Sequence, residues 1–145
     1  MTRTINLDFD GYWREVNQSG IPKKSGIYAV YVCKYNKPEK EGEKGTVALK
    51  RLIYIGEAED VNDRISKHEK WEKWRNELSE GTEICFSFAN VGSPDRERAE
   101  CALIYHHKPT CNDECKDSFP HEETSVISNG QHEFIESPIT VQKTT

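Results

Sequence analysis

At 145 residues the chain has the length of a single domain. Only 34% of the residues are hydrophobic and 31% are charged, with a mean hydropathy of −0.83; no run nears the roughly 18–20 apolar residues of a membrane helix, and the first residues lack the apolar stretch of a secretory signal. A net charge of −5 argues against broad, charge-driven nucleic-acid binding and leaves a local basic face as the electrostatic route to a polyanion.

Residues 1–20 hold Phe9, Tyr12, Trp13 and Val16 at a spacing that suits a short helix or an edge segment, closed by Ser19-Gly20. Residues 26–33 are rich in β-branched and aromatic side chains and predict a strand. The charged stretch KPEKEGEKGT, residues 37–46, predicts a solvated loop or hairpin tip. Residues 49–55 predict a second strand, stopped by Gly56 and antiparallel to the first. Asp60 is the expected N-cap of a helix from about Val61 to Leu78, with acids near its positive end.

Period-two alternation over 83–89 predicts a third strand. Ser93 and Pro94 suit the cap and first residue of a helix running to about His107, before Pro109. In the polar tail, Asn129-Gly130 between residues 125–128 and 131–135 predicts a type I′ hairpin. Residues 140–145 are expected to fray.

The five cysteines are Cys33, Cys85, Cys101, Cys111 and Cys115. Their odd number, with no export signal, predicts reduced thiols in a cytoplasmic protein. The competing reading is a zinc site from His106, His107, Cys111 and Cys115, although the ligands bunch in one segment rather than forming two separated pairs.

Glu100 falls between Leu103 and Ile104 on the helical wheel, at the edge of an apolar stripe continued by Ala99 and Ala102. A carboxylate there needs a partner. An arginine would make a structural ion pair; a hard divalent cation such as Mg²⁺ would make a metal site, often with one protein carboxylate. Arg64 and His68, four apart, share a helix face. Together they could clamp a phosphate and relay a proton, or merely belong to a solvated charged face beside Trp71.

Gly26-Ile27-Tyr28 and Tyr54-Ile55-Gly56, each on a predicted strand and in this order, resemble the two halves of the signature of GIY-YIG nucleases. The segment from Tyr54 to Arg64 resembles that family's YIG-x-A-x-D-x-x-x-R pattern, His68 falls where its homing-endonuclease branch has histidine, and Pro109 to Asn112 resembles its closing P-x-x-N. The resemblance spans roughly residues 25–113. It implies hydrolysis of DNA phosphodiesters with a single Mg²⁺ or Mn²⁺ held by Glu100. It further implies Arg64 on the scissile phosphate, Tyr28 as general base, Tyr54 positioning water or phosphate, His68 assisting proton transfer and Asn112 fixing the site. Other nucleic acid is an alternative substrate, and cutting both strands would require a homodimer or sequential nicking. The rival readings are a nucleic-acid-binding module of the same fold that has lost catalysis, and an interaction protein stabilised by a metal in the Cys/His cluster.

The expected fold is accordingly α/β: one domain over 1–145, with a small, mainly antiparallel three-stranded sheet flanked by helices. Its core would span about 25–113, with an N-terminal segment 1–24 and a C-terminal hairpin extension 114–145.

Overall fold

Strand β2 (Gly26–Asn36) organises the molecule because it sends side chains into two cores. Ile27, Ala29, Tyr31 and Cys33 enter one, and Tyr28, Val30 and Val32 the other, as the two-residue repeat of a strand requires. Its antiparallel neighbours are β3 (Thr46–Ala58) on one side and β4 (Glu83–Asn90) on the other. The computed structural model describes residues 2–144.

The sheet does not stop at three strands, and the expected fold is corrected here. It is a six-stranded, mixed, curled sheet in the order β3-β2-β4-β1-β5-β6, with few helices. Residues 3–14 form neither a helix nor an edge segment. They form β1 (Arg3–Arg14), an interior strand antiparallel to β4 and parallel to β5 (Thr124–Gly130). Ile5, Leu7 and Phe9 alternate into the core while Asn6 and Asp8 face out, a period-two signal the aromatic cluster after it obscured. Its partner β5 lies some 120 residues away in sequence, beyond the reach of any local pattern.

The hairpin expected around Asn129-Gly130 is also absent. Gly130, at φ +81°, ends β5 against β1, where a Cβ would overlap the Phe9 carbonyl. Residues 131–138 loop over, and β5 pairs instead with β6 (Ile139–Val141). Nor does the described part of 140–145 fray. Ile139 and Val141 are buried, and Thr144 exchanges hydrogen bonds with the Phe119 backbone; Thr145 lies outside the described residues.

Helices α1 (Val61–Ser66) and α2 (Trp71–Arg75) replace the single helix expected over 61–78. The break at 67–70 has a local cause. The Trp71 indole N–H donates to the Ile65 carbonyl at 2.7 Å, and His68 Nδ1 accepts the Lys70 N–H at 3.1 Å. Side chains thus take up backbone groups the helical ladder would have used. Both helices cover the Tyr28 face of the sheet, while α3 (Asp95–His107) covers the Ile27 face. Pro94 sits at the N-cap of α3, and Ser93 Oγ donates to the Glu97 carboxylate rather than capping the backbone. Among the described residues no helix is long and apolar enough to cross a membrane.

Candidate active site

Gly56 on β3 makes the space for a tyrosine on its partner strand β2. Tyr28 on β2 lies directly opposite Gly56 on β3. A Cβ on Gly56 would overlap the Tyr28 ring, and one on Gly26 would overlap the Ala89 carbonyl on β4. At position 56 only glycine leaves the room in which the Tyr28 ring lies across the strand, while Gly26 lets β2 approach β4. Tyr54, two residues before Gly56, brings its ring centroid to 6.2 Å from that of Tyr28.

Strand β3 is a sheet edge, and its exposed backbone needs a partner. The segment after α3 supplies one. The Cys111 N–H donates to the Ile53 carbonyl at 2.9 Å. Asn112 then behaves as a one-residue strand: its Oδ1 accepts the Ile55 N–H and its Nδ2 donates to the Ile55 carbonyl, both at 2.9 Å. This buried amide fixes the backbone between Tyr54 and Gly56.

A polar cleft of about 400 Å³ opens at this edge. Tyr28, Tyr54, Arg64, Glu100 and Asn112 all line it, although 84 residues separate the first from the last. Glu57, Glu69, Lys70, Asp113 and Glu114 complete its polar wall. Glu57 stands where several members of the resembled family carry lysine; the other four were not singled out from the sequence. Those four lie within two residues of a motif residue, Glu69-Lys70 after His68 and Asp113-Glu114 after Asn112, and that adjacency is the one signal that could have found them.

His68 is placed differently. Its side chain is fully enclosed behind the tyrosines, with ring centroids at 5.2 Å from Tyr54, 6.1 Å from Tyr28 and 4.6 Å from Trp74. Burial, reinforced by the Arg64 charge, pushes it down to about 4, so it is neutral at pH 7. With Nδ1 accepting a hydrogen bond, Nε2 carries the proton, and Nε2 has no partner.

Glu100 projects from α3 without a counter-cation. Among the described residues no ion pair to it is seen, and every leading influence on it is burial or an acidic group, with Glu57, Cys115, Glu114 and Glu97 following burial in that order. Together they push the carboxyl up to about 8. Glu57 is held by Arg96 at 2.5 Å, and Arg96 also donates to Ser25 Oγ. Arg64 makes a bidentate pair with Glu69, at 2.8 and 3.0 Å. Burial raises Tyr28 well above the ordinary phenol range and Tyr54 to about 12, while the Arg64 charge draws both back down.

The four residues of the alternative zinc site are dispersed. Cys111 sits in the core on the Tyr28 face, whereas Cys115 packs on the opposite core and contacts Cys101. His106 pairs with the Glu136 carboxylate, and His107 accepts the Glu136 N–H. Among the described residues no three His, Cys, Asp or Glu side chains converge as a metal-ligand group. No protein-family model, curated protein or solved structure matches the chain.

Proposed function

We propose that the protein is a metal-dependent DNA endonuclease working at this cleft, in the manner of the GIY-YIG nucleases. The observation that carries the reading is the convergence of Tyr28, Tyr54, Arg64 and Glu100, from four separate elements, on one polar cleft. Glu100 suits Mg²⁺ or Mn²⁺, being a largely enclosed carboxylate with no cation of its own. Such ions take oxygen ligands and keep several waters, so a single protein carboxylate suffices. When bound, the metal supplies Lewis-acid charge to a phosphate oxygen.

The chain's own groups do the rest. Arg64, once free of Glu69, offers its planar fork to two phosphate oxygens. Tyr28 Oη accepts the proton of the attacking water, which requires first losing its own. Burial opposes that loss and the Arg64 charge favours it, so positive charge in the cleft is a condition of activity. Tyr54 Oη orients the water or phosphate. His68 acts as a positioning residue, packing behind both phenol rings rather than meeting the substrate. All five cysteines are free thiols, which suits a reducing compartment, and we assign the protein to the cytoplasm.

The test is conversion of supercoiled plasmid to nicked or linear DNA with Mg²⁺ or Mn²⁺, with Glu100→Ala and Arg64→Lys alongside. Glu100→Ala should abolish cleavage. Arg64→Lys should lose most of it, because lysine keeps the charge but not the fork. Nicked product alone indicates one site per encounter, and direct linearisation indicates a homodimer. Equal cleavage by wild type and Glu100→Ala would refute the assignment. Binding without cleavage in the wild type would favour a non-catalytic binding module.

A further inference from the structure

Arg64 and Lys70 are the two basic residues lining the cleft, and in the free protein both are taken. Arg64 donates Nη1 and Nη2 to the two oxygens of Glu69. Lys70 Nζ donates to Asp113 at 2.5 Å, and Lys73 reaches the other oxygen of the same carboxylate at 3.3 Å. The carboxylates are the outer members of these pairs. Glu69 and Asp113 are 65% and 64% exposed, against 38% for Arg64 and 21% for Lys70. Each carboxylate follows a buried anchor, Glu69 after His68 and Asp113 after Asn112. The main chain is held there while the acidic side chain stands largely in solvent, tied to the basic groups it covers.

A carboxylate bridging both arms of a guanidinium has the geometry of two oxygens of one phosphate. We propose that Glu69 and Asp113 are built-in phosphate mimics, seated where two backbone phosphates of the nucleic acid bind, and that substrate enters by displacing them from Arg64 and Lys70. This deepens the nuclease reading and rests on it. Lys70, with Lys73 beside it, becomes a second phosphate contact, and the strand spans from the Arg64 seat to the Lys70 seat. Displacing Glu69 exchanges its two contacts with Arg64, and displacing Asp113 its contacts with Lys70 and Lys73, for contacts to phosphate. A polyanion that reaches only one seat cannot displace both mimics. The device therefore favours a correctly placed strand over diffuse attraction, which an acidic protein could not use in any case.

The probe is a fluorescein-labelled phosphorothioate duplex, which resists cleavage, titrated in Mg²⁺ at low salt and followed by anisotropy. Glu69→Gln and Asp113→Asn should each bind it about two- to fivefold more tightly than wild type, the range that breaking an exposed ion pair represents. Glu72→Gln, on an exposed residue of α2, removes the same charge without uncovering a cleft cation and should gain less. In an Arg64→Ala background the gain from Glu69→Gln should fall to that of Glu72→Gln. A gain of affinity cannot come from misfolding. Equal affinity in wild type, Glu69→Gln and Asp113→Asn would overturn the mimic while leaving the nuclease reading intact. So would a gain no larger than that of Glu72→Gln, or an excess over it that persists without Arg64. No binding by any variant, to duplex or single strand, would overturn both.

Discussion

Glu100→Gln separates the charge of the central carboxyl from its shape. In the free protein the group is pushed from an ordinary 4.5 up to about 8, first by burial and then by the neighbouring acids. Between those values the folded chain holds the proton more tightly than the unfolded chain does. The stability this contributes is fully present below pH 4.5 and is lost as pH rises through 8. At ~1.36 kcal/mol per pH unit the span amounts to about 5 kcal/mol as an upper bound. Glutamine is neutral throughout and escapes the loss. Thermal melts in EDTA should therefore nearly coincide for wild type and Glu100→Gln at pH 5. At pH 9 the variant should be more stable by about 2–5 kcal/mol, or roughly 5–15 °C for a chain of this size. Mg²⁺ at pH 9 should then raise the wild type and leave the variant unmoved, since an ion bound only by the folded carboxylate stabilises the folded state alone. Parallel pH profiles, or an equal response to Mg²⁺, would refute both the buried-charge argument and the metal assignment.

Three further perturbations test the supports of the cleft. Asn112→Ala leaves the Ile55 N–H and carbonyl without partners at a buried edge; urea unfolding should register a loss of about 1–3 kcal/mol for each group, and an unchanged midpoint would contradict the edge-closing role. Gly56→Ala drives a methyl into the Tyr28 ring and should cost about 1–3 kcal/mol by overpacking, with cleavage falling because the phenol is displaced; full activity would show that Tyr28 is not held by this gap. His68 is pushed down to about 4 from 6.5, so its contribution is present above pH 6.5 and lost as pH falls through 4; His68→Phe should flatten the acid limb of the stability profile over that window, and an unaltered limb would place the acid sensitivity elsewhere.

What was legible in the sequence is what local pattern encodes. Strands over 26–33, 49–55 and 83–89 could be read because aromatic and β-branched residues fill them, and each extends further in the structure. The capping role of Asp60, whose side chain accepts the Asp63 N–H, was legible for the same reason. What failed depended on distant chain. Nothing near Arg3–Phe9 indicates a parallel partner at Thr124–Gly130, and Asn129-Gly130 carries a hairpin signal that docking against Phe9 overrides. In the cleft, the resemblance to the GIY-YIG signature pointed to the motif residues but not to the ion pairs around them. The covering of Arg64 by Glu69 and of Lys70 by Asp113 depends on side-chain reach across a broken helix and an edge-closing loop.

These placements tie the chemistry to one structural problem, the open edge of β3. The chain after α3 must return to pair with Ile53 and Ile55, and in doing so it carries Asp113 and Glu114 to the rim of the cleft. Helix α3 carries Glu100 to the same rim, and the break between α1 and α2 turns Lys70 toward it while burying His68 behind the tyrosines. The resulting wall holds five carboxylates and two basic residues. Arg64 and Lys70 satisfy Glu69 and Asp113, and Arg96 satisfies Glu57 from outside the cleft. Glu100 and Glu114 are left over, and Glu100 keeps its proton at neutral pH. A phosphate approaching this free cleft meets cations that are already covered and acids that repel it. Under the proposed function, a divalent ion held by Glu100 would reverse that balance, replacing a bound proton with net positive charge in the cleft that Arg64 also lines. The same positive charge favours the phenolate of Tyr28. On the proposed function, metal, substrate and the ionised tyrosine would assist one another, because each is favoured by the positive charge or relieved acid that the others bring.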